Sequence, residues 1–232
     1  MAVRRIMALL IALSAVVVVA QDASPLKSAK DKRSYALGMD LGTQLHSMGL
    51  DVDPAIFSRG LSDALSGGKT LLTQEEVRAA IVELQAEMKR KQAEARTKAS
   101  QDGKRAGEAF LADNKKKEGV VTLPSGLQYK ILKAGAGNKP TLDDTVVCQY
   151  RGTLIDGTEF DSSYKRGQPA TFPVKGVIKG WTEALQLMQV GSTWQLFIPS
   201  ELAYGETGAG GTIGPSATLI FEVELVSIQG KP

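Results

Sequence analysis

Apolar residues change their spacing along the chain, and the changes divide it. Leu37, Leu41, Leu45 and Met48 recur on one helical face, and Gly49 follows as a stop. Asp53-Pro54 then reads as an N-cap with proline in the first turn. Ile56, Phe57, Leu61, Ala64 and Leu65 form the next apolar face, closed by Gly67-Gly68. Thr73-x-x-Glu76 reads as a capping box ahead of Val77, Ile81, Leu84 and Met88. No proline occurs from there to Leu123, so the spacing predicts a helix from about 74 to about 116, roughly 65 Å long. Its second half is polar all round: from Lys89 to Arg105 only alanines are apolar, and Glu87/Lys91 and Glu94/Lys98 are placed to pair. That pattern predicts a solvent-bridging rod, with Gly103 and Gly107 as places for a bend. Lys115, Lys116 and Lys117 fall at its C-terminal end, where cations favour the helix dipole.

Beyond about 119 the period drops to two. Leu127, Tyr129 and Ile131 alternate, as do Trp194, Leu196 and Ile198, and Leu219, Phe221, Val223 and Leu225. Val146 to Tyr150 reads as a buried strand, and Asp156-Gly157 as a hairpin turn. One helical face, Trp181, Ala184, Leu185 and Met188, interrupts the strands, and Gly191 follows it. The pattern predicts an α+β chain: an all-α N-terminal region and long connecting helix, then an antiparallel sheet packed on one short helix. The expected boundaries are 1–20 for a leader, 21–72 for a helical domain, 73–118 for the connecting helix and 119–232 for the sheet domain. A helical region of about 50 residues has little core of its own. Its apolar faces and the Gly38-x-x-x-Gly42 strip need a partner, so a homodimer through residues 21–90 is expected.

Composition narrows the function. Residues 1–20 open with Arg4 and Arg5 and continue apolar from Ile6 to Val19. About fourteen apolar residues are too few for a bilayer span. Val18-Val19-Ala20 is an acceptable cleavage site, so a secretory signal peptide is expected, with no membrane span in the mature chain. Removing its two arginines from 28 basic residues leaves 26 against 25 acidic ones, which gives no support for nucleic-acid binding. With 43% hydrophobic and 23% charged residues, the chain is not a wholly disordered one.

The usual catalytic sets find little footing. Cys148 stands alone in a strand-like run and reads as a buried thiol; His46 has no nucleophile motif or ligand cluster around it. The glycine-rich Gly205–Gly211 stretch lacks a Gly-Lys-Ser/Thr ending and reads as a loop flanking a site rather than a phosphate cradle. Glu159 and Asp161 are two apart, so on a strand they share a face, but Glu159 follows the turn and is expected to be solvated. What stands out is aromatics beside turns: Tyr150, Phe160, Tyr164, Phe172, Trp181, Tyr204 and Phe221. Several adjoin glycine or proline at strand ends, which suits an apolar binding pocket.

Five blocks carry a resemblance: Val147-Cys-Gln-Tyr150-Arg-Gly152, Asp156-Gly157-Thr-Glu-Phe160-Asp161-Ser162-Ser163, Val177-Ile178-Lys-Gly180-Trp181, Ala203-Tyr204-Gly205 and Ala217–Leu225. In order and spacing they resemble the FKBP family of peptidyl-prolyl cis-trans isomerases over about 124–228. The rest is similar to the secreted, dimeric Mip/FkpA-type group. The resemblance implies a pocket with Trp181 as floor, lined by Tyr150, Phe160, Val177, Ile178, Ile213 and Phe221. Tyr204 and the Ile178 backbone N–H would donate to a substrate carbonyl. Asp161 would sit at the rim, held by Tyr150 and Arg166. A further family aromatic falls on Ala170, with Phe172 two residues on, and a loop histidine falls on Ala209. No cofactor or metal is implied. The implied partners are proline-containing unfolded polypeptides, a second copy of the chain, and macrolide inhibitors. The implied place is beyond the inner membrane, in the periplasm or at the outer-membrane surface. Two other roles fit the same chain: a holdase chaperone with incidental isomerase activity, and a surface factor that only docks a proline-containing ligand.

Overall fold

The computed structural model describes residues 26–230, so the expected signal peptide lies outside the described residues. The described residues divide into two compact units, with the boundary between Glu75 and Glu76.

In the first unit, helix α1 spans Ala29–Ser47 and α2 spans Pro54–Ser66. Ser28 caps α1 in a reciprocal box with Asp31, a start signal that the apolar pattern does not reveal. Asp53 accepts from the amides of Ala55 and Ile56, and Pro54 opens α2, as its dipeptide predicts. Gly67, at φ 65°, ends α2 in the left-handed region that only glycine enters freely. Neither helix has a buried residue. Leu37 and Leu65, both on predicted apolar faces, remain 72% and 79% exposed.

Helix α3, Gln74–Asn114, starts at the boundary and belongs to the second unit from Glu76 onward. Strands β1 (Val120–Thr122), β2 (Gln128–Lys133), β3 (Thr145–Leu154), β4 (Glu159–Ser162) and β5 (Ala170–Pro173) follow. After a 3₁₀ turn at Val174–Gly176 come α4 (Lys179–Leu185), β6 (Thr193–Ile198) and β7 (Leu219–Ile228). All strands pair antiparallel in one sheet, ordered β1-β2-β6-β7-β3-β4. β4 and β5 share the outer edge of β3 end to end: β5 pairs with Thr145–Cys148 and β4 with Arg151–Thr153. Between them, the Ser163 hydroxyl accepts the Tyr150 amide at 2.7 Å, and the Ser163 amide donates to the Tyr150 carbonyl. Ser163 therefore closes a gap in the ladder, which explains its complete burial.

The core lies between α4 and the sheet. Trp181, Ala184, Leu185 and Met188 pack on Leu196, Ile198, Leu219, Phe221, Val223 and Leu225. Cys148 is buried there, and burial pushes its thiol pKa up to about 12. Two alternations break down. Ile131 is 49% exposed although it keeps step with buried Leu127. Phe197, out of step with Leu196, is buried because its ring meets Phe110 of α3 at 5.9 Å. The sheet thus has a second covered face, and the last turns of α3 cover it.

That cover corrects the picture of α3 as a rod polar throughout its second half. α3 runs without interruption through Gly103 and Gly107. A Cβ on Gly103 would come within 2.5 Å of the Pro215 carbonyl oxygen, and one on Gly107 would strike the Thr218 side chain. The glycines permit close approach of α3 to this surface. Asn114, 1% exposed, donates to Gln128 at 3.0 Å, and Gln128 donates back to the Leu111 carbonyl at 2.9 Å. Further up, Lys91 pairs with Glu87 at 2.8 Å as its spacing predicts, whereas Glu94 faces Arg90. At the far end Lys116 bonds Asp113 and Lys117 lies over the Phe110 ring, local partners for two of the three lysines.

Candidate functional site

Trp181 is the centre of an aromatic box. α4 carries it onto the sheet face, where three rings meet it edge-on: Tyr150 of β3 at 5.2 Å, Phe172 of β5 at 5.7 Å and Phe221 of β7 at 5.3 Å. Phe160 of β4 meets Phe221 edge-on at 5.4 Å. Edge-to-face rings place positive ring edges against π-faces, and each such pair adds roughly 0.5–1.5 kcal/mol beyond its buried area. Gly152 makes the crowding possible: a Cβ there would lie 2.7 Å from both Phe160 and Phe221. The rings enclose a pocket of about 630 Å³, within the usual range for small-ligand sites. The Trp181 indole nitrogen is buried without a protein acceptor.

The Asp156-Gly157 hairpin and a bulge aim the β4 residues. Gly157, at φ 89°, turns the chain. Asp161 pairs with Gly152 and Glu159 with Thr153, so Phe160 is an extra residue in the ladder. Phe160 and Asp161 therefore both line the pocket. Glu159 does not share their face, contrary to simple alternation. It lines a separate surface pocket and pairs with Lys165 at 2.9 Å, so it is not freely solvated either. A paired-carboxylate site is thereby excluded: Asp161 is the one carboxylate among the pocket-lining residues.

Asp161 accepts from the Tyr150 hydroxyl at 2.6 Å and from Arg166. Arg166 also reaches the Tyr150 hydroxyl at 2.6 Å, and its guanidinium lies over the Tyr150 ring. Burial opposes the Asp161 charge, but the hydrogen bonds from Tyr150 and Arg166 outweigh it and hold the carboxyl below its ordinary pKa. Burial, reinforced by the bond to Asp161, pushes the Tyr150 hydroxyl above its ordinary value. Both groups stay in one protonation state near neutrality.

Ten of the residues singled out from the sequence line this pocket: Tyr150, Phe160, Asp161, Phe172, Val177, Ile178, Trp181, Tyr204, Ile213 and Phe221. Arg166 does not line it and is linked to it only through its bonds to Asp161 and Tyr150. Ala170 pairs with Cys148 in β5, and Phe172 fills that side of the pocket. Ala209 and Gly210 line the pocket, in keeping with a glycine-rich loop expected to flank a site. Gly176 and Thr212 also line it; the sequence did not single them out, and their only signal was adjacency to Val177 and Ile213.

Comparison with known proteins gives the arrangement a setting. The family profile described as FKBP-type peptidyl-prolyl cis-trans isomerase matches residues 136–226. The one described as the domain amino terminal to it matches 30–131. The outer membrane protein MIP of Legionella longbeachae is 49% identical over 210 residues, covering 90% of each chain. The FKBP-type 22 kDa peptidyl-prolyl cis-trans isomerase of Escherichia coli is 47% identical, covering 84% of this chain and 93% of its own. The crystal structure of FkpA from Escherichia coli matches with a TM-score of 0.75 at 37% identity, covering 89% of this chain and all of that one.

Proposed function

This chain belongs to the FKBP-type peptidyl-prolyl cis-trans isomerases of the Mip/FkpA group, and on that premise we propose that it speeds X–Pro rotation in extracytoplasmic proteins by holding the twisted amide against Trp181. The barrier to be lowered is about 18–20 kcal/mol and arises from amide resonance. Rotation breaks no bond to carbon, so the site must favour one shape of the amide over another. The proline ring enters the box of Trp181, Tyr150, Phe172 and Phe221. The carbonyl before it turns toward the Tyr204 hydroxyl and the Ile178 amide. A twisted amide is less polarised than a planar one, so an apolar box disfavours the planar form relative to the transition state. Asp161, fixed by Tyr150 and Arg166, offers an ionised edge at the rim and takes part in no proton transfer.

The observation that carries the reading is the ring box itself: edge-on aromatics around a buried tryptophan, with a single carboxylate already engaged at the rim. The test is a proline-isomerisation assay on the full chain. The wild type accelerates exchange of a proline tetrapeptide, and Trp181→Ala lowers kcat/KM by at least about tenfold. An unaltered rate in Trp181→Ala would sink the pocket assignment.

A second part of the proposal concerns the helices. The exposed faces of α1, α2 and the first turns of α3 support a homodimer, with each copy supplying the missing cover. No helix among the described residues is long and apolar enough to cross a membrane. The similarity to an outer membrane protein supports work beyond the inner membrane.

A further inference from the structure

One wall of the pocket is a loop, and that loop rests on α3. The segment 205–216 supplies Ala209, Gly210, Thr212 and Ile213 to the pocket, and Tyr204 immediately precedes it. The loop is closed at two levels. Near its tip, Ala209 and Ile213 exchange both backbone hydrogen bonds, at 2.9 and 3.0 Å. At its base, the Ser216 amide donates to the Gly205 carbonyl at 2.8 Å.

Ser216 holds that base in an unfavourable conformation. Its φ of 55° is the only positive value for a non-glycine among the described residues. Such a backbone persists when its surroundings over-determine it. Here α3 does so: the hydroxyls of Ser216 and Ser100 share a hydrogen bond of 2.8 Å, and Ser216 is 5% exposed. One turn on, Gly103 lies against the Pro215 and Ser216 carbonyls, and Gly107 lies against Thr218. A helix of alanines would be held off the loop at Pro215 and off Thr218 just beyond its base.

We propose that Ser100, Gly103 and Gly107 of α3 are positioning residues for the 205–216 loop, so that α3 sets how well the pocket grips a proline-containing substrate. None of the three touches substrate. They act on the base of the loop, and the loop carries Ile213 into the pocket. The inference rests on the isomerase reading for its kinetic consequence, while its structural half is measured by exchange and does not depend on activity.

Gly103→Ala in the full chain separates this role from a merely structural one. Alanine is the better helix former, so the substitution strengthens α3 on its own while pushing it from Pro215. With a proline tetrapeptide as substrate, KM rises about three- to tenfold and kcat changes less than about twofold. Amide hydrogen exchange at Ala209 and Ile213 quickens at least about tenfold, while Leu196 and Val223 in the core keep their protection. Ser100→Ala shifts both readouts the same way, and Ser100→Thr, which keeps the hydroxyl, restores them. Should Gly103→Ala not fold, the Ser100 pair decides alone. Wild-type KM and wild-type exchange in Ser100→Ala would overturn the proposal. So would exchange that quickens equally at Leu196 and Val223, because that marks general loosening rather than a released loop. Changed exchange in a chain with no isomerase activity at all would spare the brace and sink the function.

Discussion

Asp161 shows what residue type alone can and cannot reveal. A carboxylate among aromatics is a natural candidate for acid–base chemistry. Its partners decide otherwise: Tyr150 and Arg166 each engage one of its oxygens and hold it ionised. Asp161→Asn keeps the size and an acceptor oxygen while losing the charge opposite Arg166. Activity should fall less than about tenfold, whereas loss of a general acid or base costs roughly 10²–10⁴. The kcat/KM profile of both forms should stay flat from about pH 5 to 9, since Asp161 titrates below its ordinary value of about 4 and Tyr150 above about 10. The sign for stability follows from the same direction. A carboxyl with a lowered folded pKa contributes stability above its unfolded value, and that contribution disappears as pH falls through the folded one. Wild type should therefore lose more stability than Asp161→Asn on acidification below about pH 4. A thousandfold loss of activity, or a new slope near neutrality, would return Asp161 to acid–base chemistry. The aromatic pocket residues were legible because aromatics beside turns are unusual, whereas Val177, Ile178 and Ile213 were expected only through the family resemblance. Gly176 and Thr212 were not legible, because they contribute backbone and small surfaces that carry no chemical signature.

Elements were legible where one period persisted and opaque where two contacts competed. The hairpin, α4 and most strands followed their patterns, Ile131 and Phe197 being departures. β4 did not, since a bulge is a matter of cross-strand register, which a single strand's sequence does not contain. The end of α3 misled for a different reason. Two glycines in a polar helix look like weakness, and only the partner surface shows that they are a flat strip for Pro215 and Thr218. The stripe Ser100, Gly103, Gly107, Phe110, Leu111 and Asn114 therefore belongs to the isomerase module, despite its polar composition. This has a measurable consequence. Phe110→Ala removes a ring that packs on Phe197 and carries Lys117, and it should cost about 2–3 kcal/mol, less than a fully buried phenylalanine. Arg90→Ala, twenty residues earlier on the exposed rod, breaks only a loose surface pair and should leave the urea midpoint unchanged. Equal midpoints for the two variants would mean that α3 is a tether and not a cover.

At the scale of the whole molecule the first unit poses the sharper question, because its described residues are folded but none of them is buried. Its two helices are well capped, yet Leu37, Ile56, Leu61 and Leu65 face outward, as do Val77 and Ile81 at the start of α3. Caps and propensity seldom stabilise helices this short in water; burial of an apolar face does. On the proposed dimer reading the missing burial comes from a second copy, which offers the same apolar faces at equal concentration. Sedimentation of the wild type should give about twice the mass of one chain. Leu61→Asp combined with Ile81→Asp places charges on those faces and should give the single-chain mass, with much of the α1 and α2 helicity lost. Isomerisation of a tetrapeptide should be unaffected, since the pocket and its brace at Ser100–Asn114 lie in the other unit. Refolding of a large proline-limited protein should suffer, because two linked pockets hold a long chain better than one. A wild type that sediments as one chain would refute the dimer. A charged variant that stays dimeric would move the interface away from these faces. A monomeric variant that refolds large clients as well as the wild type would leave the helices without a part in substrate capture.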